Sequence, residues 1–169
     1  RRNGDAGMSA LLARAQLFSA IEGGSVAWAA EILKLGPIEV RDRLLSGNYS
    51  SAGKITERLK INSGEEVLTQ ITSAGAFILT PEDVDWPVSL NDLAAPPIAL
   101  LIKGQRENLS SLANSISIVG TRNPTSYGAR IAGDFAAGFA DREWAIVSGG
   151  AYGIDSCAHK GALIAEGVT

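Results

Sequence analysis

Residues 115–128, SISIVGTRNPTSYG, and residues 146–163, IVSGGAYGIDSCAHKGAL, decide how this chain reads. Each runs from apolar, β-prone residues into a glycine-bearing loop and then into a segment with helical periodicity. Strand, loop and helix in that order are the repeating unit of a parallel α/β sheet covered by helices. The loop leaving a strand's carboxyl end there meets a helix start, where unpaired N–H groups and the macrodipole favour an anion. If the two strands are neighbours, their loops frame one crevice, the usual ligand position of such folds.

The loop residues supply suitable chemistry. Gly120 ends the first strand and Ser148 the second, and Gly149, Gly150 and Gly153 allow backbone to approach a ligand without a Cβ in the way. Arg122 offers a planar, permanently charged fork to phosphate oxygens. Plainer readings stand beside these. The glycines also serve loop geometry alone, and Arg122 has a candidate ion-pair partner in Asp155. Asp155 and His159 lie four apart on one helix face, either as an acid–base pair or as a polar pair fixing the helix, and the absence of a nucleophile motif favours the second. Cys157 reads as buried among small residues, and Lys160 as a solvated or backbone-reaching cation. Tyr127 and Tyr152 each open a helix beside a loop, where they either stack on bases or pack against the sheet.

Outward from the loops, helix 126–141 is expected to turn Ile131, Phe135 and Phe139 to one face, and a last helix spans 152–166. Upstream, AFILT (76–80) and PPIALLIKG (96–104) read as further strands of the same sheet, separated by the proline-rich acidic segment PEDVDWP, and NLSSLAN as a loop or helical turn. The strands number too few for an open doubly wound sheet, so another is expected after Gly167 and the chain is expected to be the front part of a longer protein.

Residues 8–74 carry a different pattern. Met8, Leu11, Leu12, Ala15, Phe18 and Ile21 recur at helical spacing until Gly23-Gly24 stops them. Ser25 caps a second helix that Gly36 closes, Pro37 starts a third that ends at Gly47-Asn48, a fourth spans 51–60, and Ser63-Gly-Glu-Glu is a capping box opening a fifth to about residue 73. The expected organisation is therefore a small all-helical domain, 1–75, followed by 76–169, the N-terminal part of a Rossmann-like domain.

Composition sets the outer limits. The 169 residues are 46% hydrophobic and 20% charged, an ordinary globular balance. No apolar run reaches the roughly 18–20 residues of a membrane span, and the opening RRNGDAGMSALLARAQLF, interrupted by Arg14 and Gln16, reads as helix rather than signal peptide. One cysteine and one histidine exclude an internal disulfide and a Cys/His metal cluster, which suits a reducing cytoplasm. The net charge is −3; residues 1–75 carry nine basic and eight acidic residues, and 76–169 six and ten. A polyanion site must therefore be local. Neither G-x-G-x-x-G nor G-x-x-x-x-G-K-[ST] occurs, which leaves a hydride-transfer enzyme or an NTPase without support.

VGTRNPTSYG followed by SGGAYGIDSCAHKGAL resembles the DprA/Smf family of bacterial DNA-processing proteins, whose hallmarks are a VG-[ST]-R loop and an SG-x-A-x-GID-x-x-AH-x-GAL segment. DVDWPVSLNDLAAPPIALLIKG is similar to the family's segment between a YP-x-x-L element and a proline-marked strand, with Trp86 in place of the usual Tyr and, downstream, Gly150 where Leu is frequent. The helical front is similar in kind to the family's SAM-like or helix-hairpin-helix domain. The resemblance implies a Rossmann-like domain that binds and protects single-stranded DNA without sequence preference, loads RecA onto it in natural transformation, and forms homodimers. It implies no enzymatic activity, cofactor or metal, and no membrane. The residues expected at the nucleic acid are Gly120, Thr121, Arg122, Ser148, Gly149, Gly150, Gly153 and Lys160, with Gly128, Asp155 and His159 shaping the pocket. A rival is a nucleotide phosphoribohydrolase of the lysine-decarboxylase-like group; its PGGxGT loop differs from SGGAYG, which lacks that Pro and Thr.

Overall fold

The local signals at residues 25, 36, 37 and 63 act where the sequence places them. In the computed structural model, which describes the backbone of residues 2–169 and the side chains of residues 6–169, five helices open the chain: α1 (Arg2–Ala20), α2 (Val26–Leu35), α3 (Pro37–Leu45), α4 (Gly53–Leu59) and α5 (Gly64–Ser73). Arg1, part of the basic lead weighed as a targeting signal, lies outside the described residues. The Ser25 side chain accepts from the Trp28 N–H, satisfying a donor that the first turn of α2 leaves over. Gly36 ends α2 at φ +83° and Pro37 occupies the first position of α3. Ser63 and Glu66 close the capping box reciprocally: the Ser63 N–H donates to Glu66 at 2.7 Å and the Glu66 N–H to Ser63 Oγ at 3.2 Å.

The interior between these helices is built from Leu17, Ile32, Val40, Leu44 and Leu59, with the edge of Trp28 against Tyr49 at 5.1 Å. The two polar residues inside α1 are both buried and both satisfied. Gln16 donates to the carbonyls of Leu59 and Asn62, and Arg14 donates to both carboxylate oxygens of Glu82 and to the carbonyl of Ile98.

Arg14 also shows why the fold divides where it does. Two compact units are present, Arg1–Gly104 and Gln105–Thr169, rather than a division at residue 75. β1 (Phe77–Leu79) and β2 (Leu100–Ile102) pair antiparallel, with Ile78 opposite Leu101, and do not join a parallel sheet as their sequence pattern suggested. Ile78 and Ala99 are buried with Ala15 of α1 and Val67 of α5, so this strand pair shares the helical core. Apolar content identifies a strand; the surface it covers decides its partner.

In the second unit a 3-10 helix (Arg106–Asn114) leads into β3 (Ser115–Ser117), α6 (Ser126–Ala140), β4 (Ala145–Val147) and α7 (Ile154–Ile164). β3 and β4 pair in parallel, Ile116 opposite Ile146, with α6 as the crossover. Beyond α7, the Val168 carbonyl accepts from the Ile146 N–H at 2.9 Å and the Thr169 hydroxyl donates to the Ile146 carbonyl at 3.0 Å. Residues 168 and 169 thus lie against β4 as well. Helix and parallel strand alternate here, an α/β arrangement.

The buried face of α6 differs in part from the expected one, for Phe139 packs against the core but alanines make up the rest of that face. Ala132, Ala136 and Ala140 are buried, whereas Phe135 is 60% exposed. The reason is the closeness of α7: a Cβ on Gly161 would sit 2.3 Å from the Gly133 carbonyl, so only small side chains fit between the helices. Ala136 and Ala140 accordingly pack with Ala158, Ala162 and Ile146.

Candidate nucleic-acid interface

β3 and β4 are neighbours, so the loops 118–125 and 148–153 leave the same end of the sheet side by side. Three contacts fix them to each other. Ser148 Oγ donates to the Ile118 carbonyl at 2.7 Å, the Ile154 N–H donates to the Thr121 carbonyl at 3.1 Å, and Gly153 fits so closely that a Cβ there would lie 2.3 Å from Thr121 O and 2.7 Å from Arg122 Cα. Gly153 adopts φ +89°, a conformation that independently favours glycine. Gly120 has a packing reason too, because its missing Cβ makes room for the Ile154 side chain.

Each loop is also braced from within. Thr121 Oγ1 accepts from the Asn123 N–H at 3.1 Å, so both its hydroxyl and its carbonyl are used by the protein. Thr125 caps α6 by accepting from the Gly128 N–H at 3.1 Å. In the second loop the buried Asp155 carboxylate accepts from the Ala151 N–H at 3.4 Å and lies where a Cβ on Gly149 would come within 2.8 Å of it. Asp155 therefore anchors its own loop. It neither pairs with Arg122 nor bonds His159, the two contacts weighed from sequence; His159 Nδ1 instead bonds Thr169 Oγ1 at 2.6 Å.

What remains open faces one cleft of about 510 Å³, lined by Arg122, Gly150, Ala151, Tyr152 and Ser156. Arg122 is exposed and has no ion-pair or hydrogen-bond partner among the described residues. The start of α7 carries no side-chain cap, in contrast to α6, and the N–H groups of Asp155 and Ser156 find no protein acceptor among the described residues. A free guanidinium beside an uncapped helix start is an arrangement suited to an oxyanion. Gly150, at φ +70° with open space around it, presents backbone to the cleft. Lys160 is exposed one turn beyond Ser156 on α7, outside the cleft lining.

Two of the lining residues were not among the expected contacts. Ala151 is the alanine of the SG-x-A-x-GID segment, and Ser156 falls on an unspecified position of it, its only sequence signal being its place in the first turn of α7. Tyr152 was weighed equally between stacking and packing, and neither it nor Tyr127 packs on the sheet: they are 85% and 67% exposed. Cys157 is partly exposed rather than buried. The first unit holds another cleft, about 280 Å³ and mostly apolar, but its one charged wall, Arg14, is already committed to Glu82. Among the described residues no group of three metal-ligating side chains occurs, and no helix is long and apolar enough to cross a membrane.

Comparison with known proteins places these features in context. The family model described as DNA recombination-mediator protein A matches residues 77–169. The chain is 36% identical over 154 residues to a putative DNA processing protein DprA of Mycobacterium tuberculosis, covering 83% of this chain and 40% of that protein. It is 31% identical over 157 residues to protein Smf of Synechocystis, covering 92% and 37%. It is 35% identical over 103 residues to DNA processing protein DprA of Bacillus subtilis, covering 61% and 34%. The chain thus spans about two fifths or less of the length of these relatives. The X-ray structure of DNA processing protein A from Streptococcus pneumoniae superposes with a TM-score of 0.66 at 21% identity, covering 90% of this chain and 53% of that one, a likeness of fold.

Proposed function

The chain belongs to the DNA recombination-mediator protein A family, DprA/Smf, and from that premise we propose that its second unit carries the phosphate-holding part of a sequence-independent single-stranded DNA site. One observation carries this reading: Arg122, exposed and without a partner among the described residues, lines the same cleft as the uncapped start of α7. Arg122 and the α7 N–H groups take the phosphate, Gly150 lets the backbone come close, and Lys160 extends the positive charge along the helix. Ser148, Gly153, Gly120 and Thr121 hold the two loops in register, while Gly149 makes room for Asp155. Gly128 and Asp155 shape the loops, and His159 ties α7 to the residues beside β4.

In the whole cytoplasmic protein, residues 105–169 belong to a larger Rossmann-like domain, preceded by the helical unit that takes in β1 and β2. That protein protects incoming single strands and loads RecA onto them during natural transformation, acting as a homodimer. Binding involves no covalent step, and the two loops carry no nucleophile motif. Loop sequence and family together disfavour the phosphoribohydrolase.

Fluorescence polarisation with a labelled oligonucleotide, on the full-length protein that contains this chain, tests the reading. Arg122→Ala is expected to weaken binding roughly tenfold and to reduce the salt dependence by about one phosphate contact. Unchanged affinity and unchanged salt slope in that variant would sink it.

A further inference from the structure

The aromatic wall of the cleft has no partner among the described residues. Tyr152 precedes α7 by two residues, is 85% exposed, and is engaged by no other ring, no cation and no hydrogen bond among the described residues. Several other rings have partners. Trp28 meets Tyr49 at 5.1 Å, Phe139 lies 6.3 Å from Trp144, and the exposed Tyr127 is covered by the Arg130 guanidinium at 5.9 Å. Tyr152 is thus a large apolar face held in water beside a free guanidinium, within a cleft of about 510 Å³. That volume falls within the roughly 300–1,000 Å³ of clefts that enclose small ligands. Its neighbour Ala151 is fastened by Asp155 and the next residue but one is fastened to Thr121, so the turn that presents the ring is held on both sides.

We infer that Tyr152 is a base-stacking platform: while Arg122 and the α7 N–H groups hold a phosphate, the phenol ring covers the face of an adjoining base. This rests on the reading that the cleft receives single-stranded DNA, and it adds what a phosphate site alone lacks. Phosphates are common to single and double strands, so Arg122 by itself does not discriminate between them. An unpaired base offers its face freely, whereas a base inside a duplex has both faces stacked already. Every base has such a face, so the same ring selects single strands without selecting sequence.

The test compares Tyr152→Ala and Tyr152→Phe in the full-length protein against two fluorescein-labelled probes of equal length, an oligothymidylate and an abasic deoxyribose-phosphate strand. Tyr152→Ala should weaken oligothymidylate binding roughly 5- to 100-fold. Tyr152→Phe should stay within about twofold of the unsubstituted protein, because the ring rather than the hydroxyl makes the contact. Neither change should alter binding of the abasic strand. The stacking role is overturned if Tyr152→Ala binds oligothymidylate normally, if it loses both probes equally, or if Tyr152→Phe loses as much as Tyr152→Ala. If the unsubstituted protein binds neither probe, the DNA reading itself fails and the stacking role falls with it. Matching circular dichroism and melting curves establish that the exposed substitution leaves the fold unchanged.

Discussion

Ser148 Oγ donates to the carbonyl of Ile118, thirty residues earlier in the chain, at 2.7 Å, and this bond joins the two loops just where they leave the sheet. Ser148→Ala removes the donor from a partly buried carbonyl. The expected loss of stability is about 0.5–1.5 kcal/mol, read from the urea midpoint at unchanged slope. Because the bond orders the loops, Ser148→Thr, which keeps the hydroxyl, should restore most of the loss. If the alanine variant is as stable as the parent, the bond contributes nothing.

Gly153 and Gly150 share positive φ but differ in surroundings, and Gly153, at ψ −130°, also lies outside the left-handed helical region, so both strain and steric exclusion weigh more heavily on it. A Cβ at Gly153 would strike Thr121 O and the Arg122 backbone, while one at Gly150 would meet nothing within 4 Å. Gly150→Ala should therefore cost only the left-handed conformation, about 1–2 kcal/mol. Gly153→Ala combines a backbone conformation that side chains avoid with a clash that can yield only by parting the loops, for about 2–5 kcal/mol in total. Thermal unfolding of the two variants should rank them in that order.

The sequence makes some of this legible and hides the rest for identifiable reasons. Caps at Ser25 and Ser63 are local devices whose geometry is written in three or four consecutive residues, and both form as read. The two glycine loops are likewise local, and the pairing of β3 with β4 places Arg122 and the start of α7 at one cleft. Partners that depend on distant chain escaped. Strands β1 and β2 are three residues each, too short for an apolar pattern to reveal that they pair antiparallel and cover α1 and α5. On α6, residue size pointed to Ile131, Phe135 and Phe139; Phe139 does pack against the core, but the close contact with α7 through Gly133 and Gly161 fills the buried face with alanines and leaves Phe135 exposed. The end of α6 falls within one residue of the expected 141, although Glu143 takes φ +61° there, a conformation that usually calls for glycine.

Glu82 predicts how the first unit responds to acid. Burial pushes its carboxyl up, but hydrogen bonds and charge from the Arg14 guanidinium outweigh that and hold it below the ordinary carboxylate range. A group whose folded value is depressed contributes stability in full above its unfolded value, near 4.3 for Glu, and loses it as pH falls through the lower folded value. Stability of the protein should hold through neutral pH and decline below about pH 4. In Glu82→Gln the acid-dependent part should shrink, while stability at neutral pH also falls because the buried guanidinium loses its counter-charge. Urea unfolding of both proteins across pH 3 to 7 measures the difference, and identical pH profiles would remove Glu82 from the account.

Gly133 and Gly161 face each other across the α6–α7 contact, yet substitution should affect them oppositely. A Cβ on Gly161 would meet the Gly133 carbonyl, carbon and Cα at 2.3–2.9 Å, all of them backbone atoms that cannot rotate away. Gly161→Ala must therefore push the helices apart and uncover the alanines packed between them, at about 1–3 kcal/mol. A Cβ on Gly133 would meet only the Cys157 carbonyl, at 3.7 Å, an ordinary contact. Gly133→Ala should then stabilise by about 0.5–1 kcal/mol, because alanine gives up less backbone freedom in a helix than glycine does. Chemical denaturation of the two single variants settles the asymmetry. If both destabilise equally, the helices approach more symmetrically than these contacts require, and the small-residue interface beneath the proposed DNA cleft needs another explanation.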